Sequence, residues 1–96
     1  MLEVAVPLVT SFGDTRRANA ARADLPRLIG SETPVGLVLL DEDHREQEMI
    51  VGQIVRVGAD SLVFRRDGLD EEIPLASVSK RVLGDEEVRY GEGRPI

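Results

Sequence analysis

IVGQIVRVGADSLVFRRDGLDEEIPLASVSKRVL, residues 50–83, sets short β-branched runs between turn signals and contains no catalytic group. Gly58, Ala59 and Asp60 make a tight turn, and Asp67-Gly68 is a strong hairpin signal. Between them Ser61 to Arg66 reads as a strand, with Leu62 and Phe64 on one face by period-2 alternation. Met49 to Val57 is the strand before it, and its Gly52 suits the sharp bend that closes a small barrel. Glu72 to Leu75 follows the hairpin with Ile73 and Leu75 inward. Pro74 removes a ladder hydrogen bond there, so this strand lies at an edge or ends. Ser77 to Leu83 closes the unit, as a one-turn helix or as a last short strand.

Outward from this block, Val35 to Leu40 is a buried strand by length and branching. Residues 41–48, DEDHREQE, are too charged for anything but a solvated hairpin loop. In residues 24–29, Asp24 can cap a single helical turn, and Pro26 is acceptable where an N–H lacks a partner anyway. Leu25, Leu28 and Ile29 then share a face at the i, i+3, i+4 spacing, and Gly30 stops the turn. TRRANAARAD, residues 15–24, has helical composition with Asp14 or Thr15 placed to cap it. It lacks an apolar stripe, so helix and loop both stay open. Leu2 to Val9 is a first strand that stops or becomes an edge at Pro7. The expectation is one domain over residues 1–84, mainly β, a small SH3-like or Sm-like barrel with one short N-terminal helix. Residues 85–96 are expected as a flexible polar tail.

Composition limits the function. Only 3% of the 96 residues are aromatic against 42% hydrophobic, so the core is aliphatic. No apolar run nears the ~18–20 residues of a membrane-spanning helix, and MLEVAVPLVTSFGD lacks the basic start and apolar core of a signal peptide. A cytoplasmic location is expected. Without cysteine, a disulfide framework and a cysteine metal site are excluded. Eighteen acidic against 12 basic residues give a formal charge of -6, whose long-range field opposes nucleic acid. This acidic protein, whose cations are nearly all arginine, is better matched to a basic protein partner.

Chemistry-bearing groups are sparse. His44, the single histidine, sits among Asp41, Glu42, Asp43, Glu46 and Glu48. These acids lack calcium-loop spacing and the apolar surroundings that shift a carboxyl pKa, so a solvated loop is the better reading. The serines have no nucleophile elbow, and neither a phosphate loop nor a dinucleotide fingerprint is present. No enzyme activity, metal or cofactor is expected. Surface charge selects Asp41, Glu42, Asp43 and Glu46, with Asp70, Glu71 and Glu72, as partner-binding candidates. Arg65 and Arg66 are expected to pair across the hairpin with Glu71 and Glu72. Arg16, Arg17, Arg22 and Arg27 form the densest basic cluster, a candidate RNA-facing patch that lacks interleaved aromatics for stacking.

LPRLIG, PVGLVLL, GQIVRVGADSLVF and DEEIPLASVSKRVL together resemble the C-terminal domain of the bacterial ribosome maturation factor RimP. Leu28-Ile29-Gly30, Gly52, Asp60, Ile73-Pro74-Leu75 and Lys80-Arg81-Val82-Leu83 occupy the corresponding places, and LEVAVP is similar to the segment that enters that domain. The resemblance covers residues 2–9 and 24–84. VPLVTSFGDTRRANAARAD stands where the family has S-P-G-x-D-R-P-L, and the family's preceding α/β domain is missing from this sequence, which reads either as an excised domain or as a divergent stand-alone barrel. The resemblance implies non-catalytic protein binding in ribosome biogenesis, with a basic small-subunit ribosomal protein as partner. The rival readings are an Sm-like RNA-binding oligomer paired through strand edges, and an acidic inhibitor that mimics nucleic acid.

Overall fold

The computed structural model describes residues 12–91. A helix α1 (Phe12–Asp24) runs into a 3-10 turn (Leu25–Leu28), followed by strands β1 (Val35–Leu40), β2 (Glu46–Val57), β3 (Ser61–Arg66) and β4 (Leu69–Pro74). A second 3-10 turn (Leu75–Ser77) leads into β5 (Val78–Leu83) and β6 (Glu86–Arg89). The strands form one antiparallel sheet in the order β4-β3-β2-β1-β5-β6, so the mainly β class expected from the sequence is observed. β4 and β6 are its edges, and no ladder joins them among the described residues. The strand expected over Leu2 to Val9 lies outside the described residues.

Local chemistry explains the hairpins. Asp67 and Gly68 both take positive φ, 57° and 79°, the geometry of the two-residue turn that matches strand twist. That turn sets Leu62 opposite Ile73 and Phe64 opposite Glu71, which carries Leu62, Phe64 and Ile73 into the core. Pro74 ends β4 on the sheet edge, where its missing N–H costs nothing. Gly52 marks the handover of β2 between neighbours: it faces Val35 of β1, while Gln53 faces Arg65 of β3. A Cβ at Gly52 would collide with the Arg65 carbonyl oxygen and come 3.0 Å from Phe64 Cε2. Only glycine lets the strands approach so closely.

The core gathers Leu25, Leu28, Val35, Leu37, Ile54, Leu62, Phe64, Ile73, Leu75 and Val78, with Ala21 and Tyr90 at its margin. The segment left open between helix and loop is helical. α1 makes up for its missing apolar stripe with alanines: Ala21 is fully buried, and Ala18 and Ala20 pack against the core. Small side chains let the helix sit close.

Several expectations need correction. Leu25 and Leu28 are buried but Ile29 is 45% exposed, because a 3-10 turn has three residues per turn and eclipses i with i+3 alone. Asp24 does not cap this turn; its carboxylate bonds elsewhere. Ser77 to Leu83 is both things foreseen, the end of a 3-10 turn and then a strand. The loop after β1 is shorter than expected, since β2 already begins at Glu46. Finally, the segment read as a tail continues the domain as far as the described residues extend. Gly84, at φ 61°, turns the chain so that Glu86 faces Leu83, and Tyr90 beyond β6 is buried. No described helix is long and apolar enough to cross a membrane.

Candidate functional site

The hairpin loop between β1 and β2 is built by Asp41. Its carboxylate accepts hydrogen bonds from the backbone N–H groups of Asp43 (2.8 Å) and Arg45 (3.0 Å). Its backbone N–H bonds the Arg45 carbonyl at 2.9 Å, and its carbonyl takes the His44 N–H. His44 takes the left-handed conformation, φ 63°, to complete the turn. Asp41 is therefore a loop-forming residue rather than a free contact. Glu42 and Asp43 project from the rigid turn, exposed and with no ion pair among the described residues. With Leu40, Gln47 and Ser77 they line an open depression of about 530 Å³.

Glu46, at the start of β2, accepts from Ser79 Oγ at 2.7 Å and from Arg89 Nη1 at 2.6 Å. These bonds, Ser79 first, hold its carboxyl below the usual range. A smaller neighbouring hollow is lined by Asp14, Arg17, His44, Ala76 and Ser77, and His44 Nε2 lies 3.3 Å from Asp14 Oδ1. No cluster of metal-ligating residues occurs among the described residues.

The second acidic group belongs to the edge strand β4 and lines neither of these hollows. Arg65 grips Asp70 with two bonds, 2.7 and 3.0 Å, which lower the Asp70 carboxyl and raise the guanidinium. Arg66 reaches Glu71 at 3.4 Å, and Glu72 accepts from Ser61 Oγ at 2.7 Å. The expected pairing with Glu71 and Glu72 is thus one residue off. The two-residue Asp67-Gly68 turn sets Arg65 opposite Asp70.

The basic run of α1 is also engaged by its own chain. Arg17 pairs with Asp14 and donates from Nε to the Ala76 carbonyl at 2.8 Å. Arg22 donates to the Ala59 carbonyl at 2.8 Å and to Asn19 at 2.7 Å, and Arg27 pairs with Asp24. Arg17 and Arg22 tie the helix to the two turns beneath it. Arg16 is exposed on the same helix.

One polar centre has almost no signature in the sequence. Arg81 is only 1% exposed, yet it donates to Asp24 (2.8 and 3.3 Å) and to Glu86 (2.8 Å). The Tyr90 hydroxyl donates to the same Asp24 carboxylate at 2.5 Å. Burial by itself would raise the Asp24 carboxyl, but bonds from Arg81, Tyr90 and Arg27 outweigh it and hold it well below the usual range. Burial, then the hydrogen bond to Asp24 and its charge, push the Tyr90 phenol far up. The bond to Asp24 raises the Arg81 guanidinium further, against the effect of burial. Every group in this centre is satisfied, so it locks β5, β6 and the end of α1 together rather than meeting a ligand. Its one sequence signal is an arginine at an inward position of a strand.

Compared with protein-family models, curated proteins and solved structures, the chain matches none.

Proposed function

We propose that this protein is a non-catalytic interaction module of the SH3-like or Sm-like barrel class, binding a basic protein partner through the β1–β2 loop. The observation that supports this most is the contrast among its acidic side chains. Asp14, Asp24, Glu46, Asp70, Glu71, Glu86 and Glu87 are all ion-paired within the chain. Glu32, Glu42, Asp43, Glu48, Asp60, Asp67 and Asp85 have no ion pair among the described residues, and of these Glu42 and Asp43 line the depression, on a loop whose backbone is pinned by Asp41. Carboxylates held out rigidly beside a depression can meet lysine or arginine without first giving up an internal partner. The candidates Asp70, Glu71 and Glu72 would have to exchange one bond for another, so they are secondary.

The resemblance to the maturation-factor domain suggests a cytoplasmic role in small-subunit assembly, with a ribosomal protein as the basic partner. The RNA reading draws less support, because phosphate would compete with acceptors that already hold Arg17, Arg22 and Arg27. The test is an amide NMR titration of the labelled chain with basic small-subunit ribosomal proteins, and separately with RNA. Shifts over residues 40–47 and Ser77 with a protein are expected. Shifts confined to α1, or seen only with RNA, would contradict the proposal.

A further inference from the structure

The register separates the two faces of the sheet centre. Leu37 lies opposite Ile50 and Arg81 and belongs to the core side. Gly36 lies opposite Val51 and Val82, and Val38 opposite Met49 and Lys80, on the other side. Directly opposed residues share a face, so these positions form two adjoining rows. Gly36 lets Met49 lie across them, since a Cβ there would stand 2.5 Å from the Met49 sulfur. Val38 beneath is 6% exposed, whereas Met49 and Val51 are 48% and 49% exposed. This face therefore leaves an apolar area open at the centre of the sheet.

Its border is charged but balanced. Lys80 pairs with Glu87 and Arg89 with Glu46 on one side; Arg65, facing Gln53, pairs with Asp70 on the other. Three cations meet three anions here, on a chain whose formal charge is -6. A like-charged copy is repelled by most of such a surface but not by this region. Among the described residues, a basic partner finds one carboxylate without an ion pair beside it, Asp67 in the hollow next to Val51. We infer that this outer face is a self-association surface, on which a second copy of the chain packs about a two-fold axis. Met49 and Val51 of each molecule then pack against those of the other, and the near-neutral border suits contact with itself.

Sedimentation velocity on the full chain, from about 5 to about 500 µM, tests this across the range of a weak interface. The expected result is a species of twice the 10.5 kDa chain mass that strengthens with added salt, as repulsion between acidic copies is screened. Val51→Glu and Met49→Glu should each weaken it at least about tenfold while leaving unchanged the melting temperature taken at concentrations where the wild type is monomeric. A single-chain mass throughout would overturn the inference, as would a dimer indifferent to both substitutions. So would a monomer in which Met49 resists peroxide until residues 1–11 are removed, which would assign the face to the chain's own N-terminal segment.

Discussion

Asp24 holds more of the structure together than its place at a helix end suggests. Local spacing makes it look like a cap, but its partners Arg81 and Tyr90 stand 57 and 66 positions away, and no sequence pattern links them. Removing Asp24 leaves the buried Arg81 with Glu86 alone and takes away the acceptor of the Tyr90 hydroxyl. Asp24→Ala should therefore cost about 3 kcal/mol, read as a lower urea midpoint at unchanged slope. Tyr90→Phe, which removes one bond to a charged group, should cost about 1.5 kcal/mol. The directions of the shifts set the pH dependence. The Asp24 carboxyl is depressed below its ordinary 3.8, so its contribution is present above that pH and is lost as pH falls. The Tyr90 phenol is raised above its ordinary 10.0, so stability falls as pH climbs past that value and the unfolded chain releases the proton first. The chain has one tyrosine and no cysteine, so Tyr90→Phe should flatten the alkaline decline in a urea series. A decline of unchanged steepness would place its origin elsewhere.

Among the elements, legibility tracks how local each cause is. The β3–β4 hairpin can be read because Asp67-Gly68 alone dictates its turn, and β1 because six residues of VGLVLL can only be buried. β6 cannot. EEVR has no apolar alternation, and it becomes a strand because β5 offers an open edge and buried Tyr90 anchors its far end. α1 is undecided in sequence for a related reason: its burial rests on alanines and on arginines bonded to distant carbonyls. The glycines separate two costs. Gly52→Ala drives a Cβ into the Arg65 backbone and should cost about 3 kcal/mol, at the upper end of overpacking. Gly68→Ala meets nothing within 4 Å and pays only for its positive φ, about 1 kcal/mol. Thermal melts of the two variants should keep that order; equal losses would mean the contact at Gly52 relaxes easily.

For the whole molecule, the decisive property is how charge is distributed rather than how much there is. In sequence, seven acids form one class of candidate. The fold divides them: Asp41 builds a loop, Glu46, Asp70 and Glu71 hold arginines, Glu72 holds Ser61, and Glu42 and Asp43 face outward. That division is invisible in sequence because each partner comes from another strand or across a turn. Replacing Glu42 and Asp43 with lysine should leave the fold intact, since neither side chain has an internal partner among the described residues, and should abolish capture of a basic protein. Asp70→Asn with Glu71→Gln should weaken that capture by less than about threefold, as is usual for exposed pairs at a rim. The most direct measurement is affinity capture from nuclease-treated bacterial lysate, with the wild type and the Glu42→Lys, Asp43→Lys variant run side by side. The wild type should retain a basic small-subunit ribosomal protein and the variant should lose it. Retention of the same protein by both, or recovery of RNA-dependent partners alone, would contradict the proposed function.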